Sequence, residues 1–268
     1  MDPGTVALLH SPIVGVESWG TLPDALRQGG LAVLAVRVDG DDRPPYAERY
    51  VERAAAAVLA AVPRPARPLV LVGHSGAGPL LPAVGAALRA GGLPPGGYLF
   101  CDAGLPPGEE AGGHEAGRPP GGGPAGREAG RPPGRGADRL DLLAVEDAAM
   151  AAGFRAELAA GGRFPGWTDR DLEPLVPDPA ARAALVASLR PRRLDFFTEP
   201  LPVAAGWPDA PGGYLRLSAA YDTWLERARA LTWPTASLDA GHFHALVDPG
   251  GLAGALLALL ARMEARGG

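Results

Sequence analysis

The chain contains no lysine and no asparagine, and it has a single cysteine, Cys101. One cysteine excludes an intrachain disulfide. With no lysine, all 25 basic residues are arginine, and a phosphate-cradling loop that ends in lysine is excluded. Lysine and asparagine codons are AT-rich, whereas those of Ala, Gly, Pro and Arg are GC-rich. The abundance of the latter four therefore reads as codon usage rather than function. No stretch approaches the ~18 apolar residues of a membrane-spanning helix. Met1-Asp2-Pro3-Gly4 has neither a basic region nor an apolar run behind it, so no secretory signal is read and the expectation is a cytoplasmic protein. The net charge of -5 gives no reason to expect nucleic acid and disfavours an anionic membrane surface. The expected partner is a small-molecule substrate, without cofactor or metal.

What is present suffices for one large domain of 268 residues. Apolar runs at 6–9, 31–38, 69–72 and 98–101 read as strands. They alternate with helical segments at 22–28, 46–61 and 79–89. This rhythm predicts an α/β fold: a doubly wound, mainly parallel sheet of about six strands, with chemistry at the carboxyl ends of the strands. The sheet resumes at 214–217 and 235–238, around a helix at 223–231, and a helix at 252–266 closes the chain. Residues 1–104 and 214–268 thus form the expected core. Residues 105–139 are Gly, Pro, Arg, Glu and Ala with almost no large apolar side chain. There the run Glu115-Ala116-Gly117-Arg118-Pro119-Pro120-Gly121 recurs at 128–134. Such a segment buries too little to offset its ordering entropy and is expected to be a disordered, tolerated insertion. Residues 140–213 read as a helical lid.

The chemistry-bearing run is Gly73-His74-Ser75-Gly76-Ala77-Gly78, between a buried strand and a helix. A serine hydroxyl becomes a nucleophile when a base takes its proton. A strand-to-helix elbow built of small residues presents that oxygen, and the N–H of Gly76 points at a developing oxyanion. The usual pattern is G-x-S-x-G; Ala77 stands at its last position. An ordinary Gly-rich turn is the competing reading, and the dinucleotide fingerprint fails on glycine spacing. The base is expected late in the chain, where Gly241-His242-Phe243-His244 follows the last strand. His242 is preferred, and His244 is read as part of a helix cap. The acid that orients the imidazole is assigned to Asp222, after the strand at 214–217. Asp102 is the rival, at the end of the strand after the elbow helix, and Asp239 a weaker third. Asp222 also suits the N-cap of the helix behind it.

The order Ser75, Asp222, His242, the elbow and the helical insertion after the fourth strand resemble the α/β-hydrolase superfamily. More narrowly, His10-Ser11-Pro12, the run from Gly73 to Pro79, and Gly241-His242-Phe243-His244 are similar to a poorly characterised group of small bacterial α/β-hydrolases. The resemblance covers most of the chain outside 105–139. It implies that the turn after the first strand supplies a second oxyanion donor and that His10 braces this turn. In the family that turn often reads His-Gly-x, with the N–H of x as donor. Here the aligned position is Pro12, which has no N–H. The donor must be the N–H of Ser11 or Ile13, or the Ser11 hydroxyl.

Trp19, Phe164 and Trp167 read as packing residues, and Arg190, Arg192 and Arg193 as a solvated turn. The function expected is a serine hydrolase of a small or medium ester, thioester or lactone, acting through an acyl-enzyme. Acyl transfer, cyclisation or C–C lyase chemistry on the same fold is the alternative, favoured by Pro12. A non-catalytic binding protein on this scaffold is the other alternative, which loss of a Ser75–His242 contact would support.

Overall fold

The computed structural model describes residues 4–62, 68–106 and 136–267. Six strands form one sheet: β1 (Thr5–Leu9), β2 (Ala32–Val36), β3 (Leu69–Ser75), β4 (Pro95–Ala103), β5 (Gly212–Arg216) and β6 (Thr235–Ser237). Their order is β2-β1-β3-β4-β5-β6, and every neighbouring pair is parallel. The expected parallel α/β sheet of six strands is what the chain forms.

Alternation along each strand sorts side chains between the two faces of the sheet. Ala7 and Leu9 of β1, Tyr98 and Phe100 of β4, and Tyr214 of β5 join one buried cluster. That cluster is covered by α2 (Tyr46–Ala61), α3 (Leu81–Ala90) and α9 (Asp222–Ala230). Val6, Leu8, Leu99, Cys101 and Leu215 join the other, under α1 (Leu22–Gln28) and α10 (Pro249–Gly267). On α2, Tyr50, Ala54 and Val58 recur every four residues and are fully buried, as expected for the inner stripe of an amphipathic helix. Among the described residues no helix is long and apolar enough to cross a membrane.

Among the described residues, five helices lie between β4 and β5: α4 (Arg139–Glu146), α5 (Ala148–Ala159), α6 (Asp169–Leu172), α7 (Pro179–Ala187) and α8 (Leu194–Thr198). Acidic and hydroxyl side chains start the first four. Asp138 and Thr168 form capping boxes with Asp141 and Asp171. Asp147 and Asp178 accept from Met150 N–H and Ala181 N–H, which satisfies donors that a helix start leaves open. Most of the segment expected to be disordered, residues 107–135, lies outside the described residues. Its last residues differ from that expectation. Asp138 is buried as the cap of α4, and Arg139 is the first residue of that helix.

Two small cores join this insertion to the sheet domain. Leu172, Val176 and Leu185 pack with Val14, Phe243 and Leu246, and Leu140, Leu158, Phe196 and Phe197 pack with Tyr46. Polar contacts reinforce them. The Glu199 carboxylate accepts from Tyr46 N–H and Ala47 N–H at 2.8 and 3.0 Å, so the insertion caps α2, whose own N-cap, Pro45, has no side chain to offer. Arg190 pairs with Asp39 and Asp41, and Arg192 pairs with Asp41 at 3.1 Å and donates to the Pro12 carbonyl. The expectation of a solvated arginine turn is therefore corrected for these two. Arg192 and Asp41 are both buried, because each guanidinium finds carboxylate and carbonyl acceptors on the loops after β1 and β2. Arg193 alone is exposed. Arg163, Arg190 and Arg192 line an open groove of about 560 Å³ with Asp39, Asp41 and Tyr46; neither Ser75 nor His242 lines it.

Candidate active site

Ser75 ends β3 with φ 55°, in the left-handed region. A non-glycine residue there costs of order 1 kcal/mol or more and is held by its surroundings. The elbow is possible because its neighbours are small. A Cβ on Gly73 would lie 2.9 Å from Leu81 Cγ, and one on Gly78 would lie 2.4 Å from the Gly104 carbonyl oxygen. The helical turn following Ser75 thus approaches β3 and β4 more closely than any side chain permits.

On the adjacent strand, Asp102 also has a positive φ, 43°. The β3–β4 register pairs His74 with Cys101 and Ser75 with Ala103, so Asp102 is the extra residue of a bulge. A bulge redirects a side chain, and this one sends a buried carboxylate to His242. The His242 Nδ1–H donates to Asp102 Oδ2 at 2.8 Å. The same oxygen accepts from the Ser218 hydroxyl at 2.7 Å. Oδ1 accepts from Leu217 N–H and Ser218 N–H at 2.8 and 2.9 Å. Burial pushes the Asp102 carboxyl up, but the His242 and Ser218 hydrogen bonds and the His242 charge outweigh it, so the net shift is downward.

The expected acid is not where the sequence reading put it. Asp222 is the first residue of α9, its side chain 58% exposed, and it pairs with Arg216 Nε at 2.7 Å. It stands one turn beyond the loop that faces His242. Asp239 is exposed past the end of β6. The structure brings Asp102, the rival candidate, to His242. The signal available in the sequence was position: Asp102 ends the strand directly beside the nucleophile strand.

His242 lies between two rings. His74 packs against it with centroids 4.4 Å apart, and its Nε2–H donates to the His242 carbonyl at 2.9 Å. Burial, then the charge of His242, pushes His74 down to about 3, so it remains a neutral spacer. On the other side Tyr221 is parallel to His242 within 2°, centroids 5.2 Å apart. The Ser75 hydroxyl contacts the Tyr221 hydroxyl at 3.4 Å. No Ser75–His242 hydrogen bond is present among the described residues. Neither Tyr221 nor Ser218 was singled out in the sequence; both sit in the loop where an acid was expected. His244 starts a short helical turn and its carbonyl accepts from Asp248 N–H.

The β1 loop flanks Ser75 from the opposite side. Val38 N–H donates to His10 Nε2 and His10 Nδ1–H donates to the Ser11 carbonyl, which fixes a neutral imidazole; burial, opposed by the Ser11 contact, lowers its pKa. Tyr50 donates to the His10 carbonyl at 2.6 Å. The loop so braced holds the Ser11 hydroxyl beside Gly76: a Cβ placed on Gly76 would lie 2.9 Å from Ser11 Oγ. That hydroxyl is buried with no hydrogen-bond partner. Trp19 is buried against His74, and Phe164, Trp167 and Phe243 form an edge-to-face chain from the insertion to the residue after His242. Among the described residues no group of three or more His, Cys, Asp or Glu side chains is arranged to hold a metal.

The α/β hydrolase family model matches residues 6–255. No curated protein matches significantly. Among solved structures, an extracellular α/β-hydrolase from a Paenibacillus species aligns at 13% identity, TM-score 0.62, over 96% of this chain and 99% of its own. Tomato methylketone synthase I with bound 2-tridecanone aligns at 13% identity, TM-score 0.63, over 98% and 100%. Polyneuridine aldehyde esterase aligns at 15% identity, TM-score 0.62, over 96% and 98%. With a parallel six-stranded sheet, an elbow serine at the end of its third strand and a family match spanning nearly the whole sequence, the chain belongs to the α/β hydrolase family.

Proposed function

We propose that this protein is a serine hydrolase that cleaves a small or medium carboxylic ester, thioester or lactone through an acyl-enzyme. The observation that carries the reading is the pair of buried Asp102 and half-buried His242 set against a strained elbow serine. Because His242 Nδ1–H is committed to Asp102, Nε2 carries the lone pair and accepts the Ser75 proton as Oγ bonds to the acyl carbon. Asp102 orients the imidazole and stabilises its charged form. Gly76 N–H, with the Ser11 hydroxyl or the Ile13 N–H, receives the oxyanion. The imidazolium returns the proton to the leaving atom, and water then releases the acid by the reverse sequence. In the free protein the serine hydroxyl turns from Tyr221 to His242 as substrate enters; such contacts commonly tighten only in the complex. The five-helix insertion serves as the lid, its apolar chain from Phe164 to Phe243 suiting an apolar acyl group.

A fluorophosphonate probe tests the assignment. The wild-type protein becomes labelled, Ser75→Ala does not, and a wild type left unlabelled beside a labelled reference hydrolase overturns the reading.

A second reading keeps the nucleophile and changes the reaction to acyl transfer, cyclisation or C–C cleavage. Pro12, with no N–H to give, favours it, and one structural relative is by name a methylketone synthase. Labelling of Ser75 with no turnover across a panel of simple esters selects this reading. The missing Ser75–His242 contact is the one observation on the side of a non-catalytic scaffold. Full biological activity in Ser75→Ala would establish it.

A further inference from the structure

The loop after β5 carries no acid to His242. It carries Ser218, which bonds Asp102, and three residues later Tyr221. The strand order places β1 on one side of the nucleophile strand β3, and β4 and β5 on the other. The loop after β1 brings Ser11 Oγ beside Gly76, so the proposed oxyanion donors meet on the β1 side of Ser75, with Tyr221 and His242 on the other. In a tetrahedral adduct on Oγ the oxyanion points to the first side. An oxyanion so held leaves the departing oxygen on the second side, where His242 and Tyr221 lie.

We propose that Tyr221 is a further catalytic residue whose phenol donates a hydrogen bond to the departing oxygen. The inference rests on the hydrolase reading above. In acylation the departing oxygen belongs to the substrate alcohol: the bond from acyl carbon to that oxygen breaks, His242 supplies the proton, and Tyr221 shares the developing negative charge. In deacylation water adds to the acyl carbon and the departing oxygen is Ser75 Oγ, the atom Tyr221 already contacts at 3.4 Å. One hydroxyl thus serves both steps, because the two departing oxygens are bonded to the same tetrahedral carbon.

Three observations support a donor role. Among the described residues Tyr221 OH has one hydrogen-bond partner, Ser75 Oγ, and no structural acceptor there ties it. Burial keeps the phenol protonated, against the pull of Ser75 and with Glu146 and Asp102 adding to the rise; it can donate and does not act as a base. Glu146 accepts from Trp224 Nε1–H, and no Tyr221–Glu146 hydrogen bond is present among the described residues.

The test is Tyr221→Phe, which retains the ring stacked on His242 and removes only the hydroxyl. kcat/KM is measured for the ethyl and p-nitrophenyl esters of one acid, with the deacylation rate from burst kinetics. A nitrophenolate leaves without help, whereas an ethoxide does not. The expected loss in kcat/KM is ~10- to 100-fold for the ethyl ester and under ~3-fold for the nitrophenyl ester, with deacylation slowed ~10-fold. Equal losses with both esters, or no loss, overturn the role of Tyr221 while leaving the hydrolase reading intact. A wild type that turns over neither ester overturns both.

Discussion

Two non-glycine residues at the site have positive φ, Ser75 and Asp102, and they flank the same register shift between β3 and β4. One local distortion thus aims both the Ser75 hydroxyl and the carboxylate that meets His242. Strained backbone of this kind persists only where the surroundings over-determine it. Here four donors to Asp102 and close glycine packing do so. Asp102→Asn is expected to lower kcat by ~10³- to 10⁴-fold, because an amide can favour the wrong imidazole tautomer. Asp222→Asn removes only an exposed ion pair with Arg216 and should leave kcat within ~3-fold, since such pairs are worth about 0–1 kcal/mol. A steady-state assay of both variants decides between the two carboxylates. The positions of Ser75 at the elbow and of His242 after the last strand are legible because each is marked locally, by glycines and by chain position. Asp102 rather than Asp222 meets His242; strand-end aspartates look alike in sequence, and only the bulge separates them.

At the scale of elements the strands were found but their ends were not. The apolar run 98–101 marks the middle of β4, which extends over Pro95–Ala103. Pro95, Gly96, Gly97 and Asp102 carry little intrinsic strand preference; pairing with β3 supplies it. Helices with a clear stripe fared better, and α2 occupies the same residues in sequence and structure. The most demanding junction is the turn after the elbow. A Cβ on Gly78 would press on the Gly104 carbonyl at 2.4 Å and the Ala103 Cβ at 2.8 Å, and the backbone carbonyl is no flexible tip that could swing aside. Gly78→Ala is expected to destabilise the fold by about 1–3 kcal/mol, as overpacking does, and to lower activity by displacing the strand end that bears Asp102. A urea titration reads the first effect, since a lower midpoint at unchanged slope signals lost stability.

At the scale of the whole molecule, Asp41 is one of the ties between the sheet and the helices that lie between β4 and β5. Its carboxylate pairs with Arg190 and Arg192, while Arg192 also donates to the Pro12 carbonyl of the loop beside Gly76. The helices between β4 and β5 and the loop after β1 therefore share one anchor. Asp41→Asn leaves a buried guanidinium without its counter-charge and should cost about 3–5 kcal/mol, seen as a lower thermal midpoint, with a fall in kcat from the loosened loop. A midpoint unchanged from wild type would show that the two parts hold together through their apolar cores alone. The composition gave no hint of this fastening; arginines expected in solvent were drawn inward by carboxylates some 150 residues away.

Because the sequence holds no lysine, every side-chain cation in that anchor is a guanidinium. A guanidinium keeps its charge through the alkaline range in which an ammonium discharges. It is also a poor nucleophile toward activated esters and thioesters, the class of compound proposed as substrate. The clasp between insertion and sheet domain therefore offers no side-chain amine for a stray acyl group to cap, and turnover of reactive acyl donors would not gradually unfasten it.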